Sequence, residues 1–399
     1  MTDVYQKYKE LKRLLPIYND IDFSKVLAFD LAYSVYSQKK IKFTSVKWLF
    51  KRIYIRPAKT DCIFTIGEYG WRGDYQQILK FVSEKIEDRQ VVELNKYKFS
   101  FSFLRSFIES LVLLKDIILS KECSIKAKIY LISKASFYLN SKEYILAFIE
   151  NSECSRYVAF SSVHTIEALF TECTKSYGIV SMSLQHGVAH IHKGNVPIDM
   201  LSYENFNCDK QLCWGEYSKK EYEKYGIPEN KLVVCGYPRD FIYKNRNIIK
   251  NNKAVVFLSR HAYHDVNLKV LKMIKKIQGF KFELKLHPSL NKSDYDAFCG
   301  DNLSIIENQT VSDILLRDWE YSLSVNTSAY YESLLSGIPS FVYEGSGYDG
   351  FAIVEGTGFT DLESLKKLIT KGINRDMKKK LDYFLGSEKD HYRKEIINA

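Results

Sequence analysis

Two histidines stand where the pattern of this chain has it leaving a buried strand. The first is His186 in Leu184-Gln185-His186-Gly187, directly after the apolar run 179–184. Histidine titrates near neutrality, so one projecting past a strand end suits removal of a proton from an attacking hydroxyl. Gly187 lets the backbone turn sharply beside it. The same residue also reads as a hydrogen-bonded structural histidine at a strand end. His190 and His192 follow closely, yet no matching cysteine or carboxylate set makes the trio a metal site. The second is His287 in Lys285-Leu286-His287-Pro288. Pro288 lacks an N–H and cannot continue a central strand, so the chain must leave the sheet there. An imidazole so placed can donate to a phosphate oxygen.

A third group is Asn326-Thr327-Ser328-Ala329, which follows the run 321–325 and opens a helix. A helix start offers N–H groups and the positive end of a dipole, both favourable to phosphate, and Thr327 and Ser328 add hydroxyls. One of the two also reads as the helix cap, and both roles can hold together. Glu332 lies four residues past Ser328 on the same face; it reads as an acceptor for ribose hydroxyls or as a solvated carboxylate. Arg260, after the run 254–258, and Arg239, in Gly236-Tyr237-Pro238-Arg239-Asp240, read as phosphate partners or as surface arginines. Gly67-Glu68-Tyr69-Gly70-Trp71-Arg72-Gly73-Asp74 reads as a sugar-acceptor loop, with Glu68 and Asp199 as rivals to His186 for the general base. Its glycines lack dinucleotide-fingerprint spacing. Asp20-Ile21-Asp22 and Asp294-Tyr295-Asp296 have the form of metal-binding pairs, but neither follows a convincing strand. No metal and no cofactor is expected.

The elements that must position these residues alternate. Apolar strands at 61–66, 157–160, 179–184, 210–214 and 231–235 are interleaved with helical spacing, as in Ile166, Leu169, Phe170 and Cys173. After a polar stretch the alternation restarts at 254–258, 280–286, 321–325 and 338–343. Thr310 and Asp313 form a capping box before 314–316. Strand–helix alternation on both sides of one linker predicts two doubly wound parallel sheets, residues 1–240 and 254–399 with 241–253 between them. Ligands of such sheets bind beyond the carboxyl ends of the strands, where the candidates stand.

The 399 residues carry a net charge of +10, which favours anionic partners, and no basic-aromatic reader motif points to nucleic acid. The eight cysteines have no C-x-x-C spacing and read as small buried hydrophobes of a reducing compartment. No signal-peptide pattern opens the chain, and no uncharged apolar run reaches the roughly 18 residues that span a bilayer. Residues 46–56 mix aromatic and basic side chains as interfacial helices do, and read equally as a surface helix with solvated lysines. The expectation is a cytoplasmic protein, peripheral on an anionic membrane at the inner face of the plasma membrane.

In order, Leu184-Gln185-His186-Gly187, Val234-Cys235-Gly236-Tyr237-Pro238-Arg239-Asp240, Leu284-Lys285-Leu286-His287-Pro288, and Asn326-Thr327-Ser328-Ala329 through Glu332 to Gly337-Ile338-Pro339 resemble the GT-B transferases of bacterial envelope polymers. The echoes are of CDP-glycerol glycerophosphotransferases, capsule Kdo transferases and sialyltransferases. The resemblance covers about residues 150–345. It implies an α/β, GT-B fold of two Rossmann-like domains facing across a cleft. It also implies a metal-independent glycosyltransferase, with His287, Thr327 and Ser328 on the donor phosphate and His186 as base. The chain departs from the glycerophosphotransferases at Gln185, where they carry an aromatic residue, and at Asn326–Ala329. An ordinary nucleotide sugar therefore fits better than a polyol-phosphate donor. The expected acceptor is a glycan or a lipid-linked (undecaprenyl) sugar of a capsule, lipopolysaccharide or teichoic-acid type of polymer. Polyol-phosphate transfer, nucleotide-sugar epimerisation on the same fold and a non-catalytic assembly scaffold are the alternatives.

Overall fold

The structure is a computed structural model that describes residues 3–36, 41–68, 70–188, 201–239, 250–345, 354–371, 377–386 and 391–399. His190, His192, Asp199 and Asp240 lie outside them, as do Tyr69 of the glycine-rich loop and most of the expected linker. The chain divides into two compact units. One is Met1–His186 with Gly194–Pro238 and Glu388–Ala399; the other is Gly187–Lys193 with Arg239–Ser387.

The sheet of the first unit is formed by β1 (Cys62–Ile66), β2 (Arg89–Glu93), β3 (Arg156–Ala159), β4 (Val180–Leu184), β5 (Lys210–Cys213) and β6 (Leu232–Val234). All pairings are parallel, in the order β6-β5-β4-β3-β1-β2. The chain runs outward from β1 to β2, then returns to the other side of β1 with β3. Helix α1 (Phe103–Leu113) and the 28-residue helix α2 (Ile125–Ser152) fill the crossover between β2 and β3, and α3 (Thr165–Lys175) follows β3. Helix α2 starts where the Ser124 hydroxyl accepts the Ala127 N–H at 3.3 Å, and it ends at Glu153 in the left-handed region. Every residue from Ser133 to Ser141 is buried, so the middle of α2 runs through the core with no solvent stripe.

The second unit has β7 (Lys253–Phe257), β8 (Lys281–Lys285), β9 (Leu303–Ile305), β10 (Tyr321–Ser324), β11 (Ser340–Tyr343) and β12 (Gly358–Phe359), also all parallel, in the order β9-β8-β7-β10-β11-β12. Helix α4 (His264–Ile274) follows β7 and α5 (Ala329–Leu335) follows β10. The chain therefore has the doubly wound α/β architecture expected of it, twice over. The capping box forms as read: Thr310 Oγ1 accepts the Asp313 N–H at 3.2 Å while Asp313 Oδ2 accepts the Thr310 N–H at 3.0 Å.

Two details correct the sequence reading. The last helix, α6 (His391–Ile397), packs with the first unit rather than closing the second, although 254–399 reads as one domain. Tyr392 and Ile396 are buried, and the Tyr392 hydroxyl donates to Gly236 O at 2.9 Å. Residues 46–56 are not one interfacial helix. A 3-10 helix, Phe43–Phe50, gives way to a strand, Lys51–Ile53, which pairs antiparallel with Tyr97–Phe99. All eight cysteines are free thiols, seven of them buried. No helix among the described residues is long and apolar enough to cross a membrane.

Candidate functional site

In an open doubly wound sheet the ligand crevice lies outside the carboxyl ends of the two strands where the winding reverses. In the second unit those strands are β7 and β10, whose register pairs Val256 with Leu323. The segments that leave them are Leu258-Ser259-Arg260-His261 and Val325-Asn326-Thr327-Ser328. Four of the donor-side candidates therefore flank the switch point: Arg260, Asn326, Thr327 and Ser328. The two segments are tied together, since the Ser259 hydroxyl donates to Asn326 O at 2.9 Å. Asn326 takes φ +39°, a left-handed conformation that asparagine tolerates better than most residues and that turns the chain into α5. Asn267, fully buried on α4, clamps the first segment. It accepts the Ser259 N–H at 3.0 Å and donates to Ser259 O at 2.9 Å.

His287 leaves the neighbouring strand β8 and is locked in orientation. Its Nδ1 accepts the Ser289 N–H at 3.1 Å, and the Ser289 hydroxyl lies 2.9 Å from the same nitrogen. An amide N–H can only donate, so Nδ1 carries the lone pair and the proton resides on Nε2. That tautomer makes Nε2–H a donor for an anionic oxygen. Ser289 Oγ also accepts the His261 N–H at 3.1 Å, which stitches the loop after β8 to the loop after β7. Three loops are thus held in one hydrogen-bonded frame at one end of the sheet.

Two donor-side candidates have partners within the protein. Glu332 is buried and its two carboxylate oxygens each lie 3.4 Å from Nη1 of Arg239, itself largely buried. Glu332 is thus a buried, ion-paired carboxylate rather than a solvated one, and Arg239 is a largely buried cation rather than a surface one. The start of α5 offers hydroxyls more than open amides. The Ala329 N–H reaches Thr327 Oγ1 at 3.4 Å, and the Tyr330 and Tyr331 N–H groups turn back to the carbonyls of Thr327 and Ser328. Thr327, one residue before the N-cap Ser328, accepts an amide of the first turn and is still a candidate ligand, because a hydroxyl that accepts one hydrogen bond has its own proton to give.

In the first unit the winding reverses between β1 and β3. His186, one strand further on, has its ring 5.6 Å from Tyr75, 5.3 Å from Phe160 and 5.7 Å from His164. Across the switch point lies Glu167 of α3, which sequence reasoning did not pick out. Its buried carboxylate accepts the Gly67 N–H at 3.1 Å and the Phe160 N–H at 2.9 Å. It also accepts the Thr65 hydroxyl at 2.9 Å, so it fastens the loop after β1 to the loop after β3. The space for it is set by Gly67, where a Cβ would stand 3.0 Å from the carboxylate. Burial pushes the Glu167 carboxyl up to about 8, against the pull of the Thr65 and backbone hydrogen bonds. A carboxyl raised on folding contributes stability that is complete at pH below the usual glutamate range and is lost as pH climbs through its folded value. Thermal unfolding of this protein should therefore fall in temperature between about pH 5 and pH 8, and Glu167→Gln, which keeps an acceptor for the amides, should flatten that slope.

The remaining first-unit candidates are engaged. Glu68 pairs at 3.2 Å with Lys134, a buried lysine of α2 that also lies 3.5 Å from the buried Asp30. Burial alone would lower the Lys134 pKa, but Asp30 and Glu68 outweigh it and hold the ammonium charged. Gln185 is a buried clamp rather than a ligand-facing side chain: its Oε1 accepts the Trp214 N–H at 2.6 Å and its Nε2 donates to Ser218 Oγ at 2.8 Å. It fixes the strand end from which His186 and Gly187 depart. Arg72 forks onto Asp74 at 2.6 and 3.1 Å and lies 3.9 Å from the centre of the Tyr75 ring, which orders the glycine-rich loop. Among the described residues no group of three His, Cys, Asp or Glu side chains gathers as a metal set.

The chain matches no family model. An uncharacterized protein of Methanocaldococcus jannaschii is 26% identical over 183 residues, 43% of this chain, and the match spans only a third of that relative's length. Solved structures resemble it over most of its length at low identity. UDP-N-acetylglucosamine 2-epimerase from Rickettsia bellii has a TM-score of 0.52 at 14% identity, over 85% of this chain and 95% of its own. UDP-GlcNAc 2-epimerase from M. jannaschii, also solved in complex with UDP-GlcNAc and UDP, has 0.51 at 14%, over 84% of this chain and 99% of its own. A lipopolysaccharide outer core galactosyltransferase in its apo form has 0.50 at 13%, over 84% and 99%. These likenesses establish the GT-B type of fold, two Rossmann-like units in one chain.

Proposed function

We propose that this protein is a glycosyltransferase that takes a sugar from a nucleotide-sugar donor bound at the switch point of its second unit. The observation that carries this reading is the tautomer lock on His287. A hydrogen-bonded frame joins three loops, fixes a donor proton on Nε2, and has Arg260, Thr327 and Ser328 just past the two strands where the winding reverses. Donors of this kind suit the diphosphate of a nucleotide sugar, whose charge rises on the leaving oxygen as the glycosidic bond breaks. The acceptor, a glycan or lipid-linked sugar, belongs to the first unit in this reading. His186 in its aromatic surround is the base that takes the proton of the acceptor hydroxyl. Lys134 already claims Glu68 as a partner, which makes Glu68 the lesser candidate for that role.

Epimerisation of the nucleotide sugar is the second reading, because two of the similar folds are UDP-GlcNAc 2-epimerases. It needs carboxylates free for acid and base work at the strand ends. Glu68, Glu167 and Glu332 are each committed to a lysine, to backbone amides or to an arginine, which favours transfer. The test is a thermal-shift panel of UDP, dTDP, GDP, CMP and CDP compounds, followed by product analysis with the stabilising nucleotide sugar. Transfer predicts stabilisation by one nucleotide class and sugar consumption that depends on added acceptor. Consumption without acceptor, yielding an isomeric nucleotide sugar, would assign epimerisation, and silence across the panel would leave only the scaffold reading.

A further inference from the structure

Helix α1 turns the wrong way for a soluble surface. Leu104, Ile108, Leu111 and Val112 fall within one helical face, and three of them are 61, 55 and 59% exposed (Leu104, Ile108 and Val112). Phe101, just before the helix, is 91% exposed. The face continues onto the two-stranded antiparallel ribbon beside it, where Phe99 stacks on Phe50 at 6.4 Å and meets Phe101 at 5.4 Å. The opposite side of α1 is packed on α2, so the helix does not need this stripe for its own fold. Scattered exposed apolar residues are ordinary, but a contiguous stripe of this kind marks a docking face.

Its surroundings are strongly basic. Segments 42–56 and 96–128, which contain the two strands of the ribbon, α1 and the start of α2, hold twelve lysines and arginines against three acids. Lys98, Arg105 and Lys126 are exposed there, and Lys126 lies 5.3 Å from the centre of the exposed Phe43 ring. An apolar stripe with a cationic border is the complement of an anionic lipid surface: side chains enter the acyl boundary and the cations meet headgroup phosphates. We propose that the α1 stripe with Phe99 and Phe101 is the face by which this protein sits on an anionic bilayer. The apolar contact thus centres on α1 and adjoins the segment 46–56 that the sequence alone suggests, whose Phe50 stacks on Phe99. The proposal stands on the first unit only and is independent of the donor reading.

The test is co-sedimentation of the full chain with vesicles of phosphatidylcholine alone and of equal parts phosphatidylcholine and phosphatidylglycerol. The wild type should bind the anionic vesicles and lose binding as salt rises. Ile108→Glu with Val112→Glu should weaken partitioning by roughly tenfold or more, at an unchanged unfolding temperature. Lys98→Glu, which leaves the stripe intact, should lower binding to anionic vesicles by a few-fold. Equal binding by wild type and the double variant, or no binding of wild type to the anionic vesicles, would overturn the proposal. So would a wild-type dimer in light scattering that the double variant converts to monomer, since the stripe would then belong to a second copy.

Discussion

His287→Ala weakens binding of the donor nucleotide by about 10- to 100-fold, the 1.5–3 kcal/mol of one hydrogen bond to a charged oxygen. The thermal stabilisation the nucleotide gives at a fixed concentration falls accordingly. The expectation follows from a geometry that leaves only one nitrogen able to donate, because Nδ1 already accepts the Ser289 N–H. His287→Gln, whose amide nitrogen can replace Nε2, should recover part of the loss. Ser289→Ala should cost less than His287→Ala. It removes the hydroxyl that links His261 to the ring, yet it keeps the backbone N–H that sets the tautomer. Titration calorimetry of the three variants orders these effects. Equal affinities for wild type and His287→Ala would detach the histidine from the donor.

Lys134→Met destabilises the first unit by about 3–5 kcal/mol, the cost of stranding a buried charge by removing its partner. Asp30 is fully enclosed and also accepts the hydroxyls of Tyr130 and Tyr138, so its charge has no route to water once the ammonium is gone. The double variant Asp30→Asn with Lys134→Met removes both charges and should recover most of the stability, since apolar or neutral replacement of a whole buried pair is often nearly neutral. Urea midpoints of the two variants measure the difference. A single variant as stable as wild type would mean that the pair is solvated. The same lysine holds Glu68 at the end of β1, so this substitution also asks whether the glycine-rich loop depends on the core beneath it.

What the sequence disclosed and what it hid follow from the same physics. Buried strands such as 180–184 and 321–324 announce themselves as short apolar runs punctuated by Gly178 or Asn326, and the residues just beyond them were identifiable as candidates before any coordinates. Helix α2 was not legible. A helix buried on every side over 133–141 lacks the polar face that produces a 3.6-residue period. Strand β2, Arg-Gln-Val-Val-Glu at the sheet edge, is polar for a similar reason: an edge strand faces water. Thr310 and Asp313 were readable because a capping box is local. Arg239 with Glu332 was not, because 93 residues separate the partners. Asn267 left a usable trace, a lone amide at the spacing of Val270, Leu271 and Ile274 on an apolar helix face. Glu167 left a fainter one, a carboxylate among Ile166, Leu169 and Phe170 directly after a strand. In each case a polar residue at an apolar helical position marked a clamp that holds the loops of the site.

The central claim is that the loops after β7, β8 and β10 receive the donor nucleotide. Photolabelling with the azido analogue of the nucleotide that the thermal-shift panel selects, followed by digestion and mass mapping, tests it most directly. The account predicts labelled peptides that carry Arg260, His287 or Thr327, with labelling suppressed by an excess of the corresponding nucleotide sugar. Label confined to the first unit, or spread over surface lysines and indifferent to competitor, would contradict it.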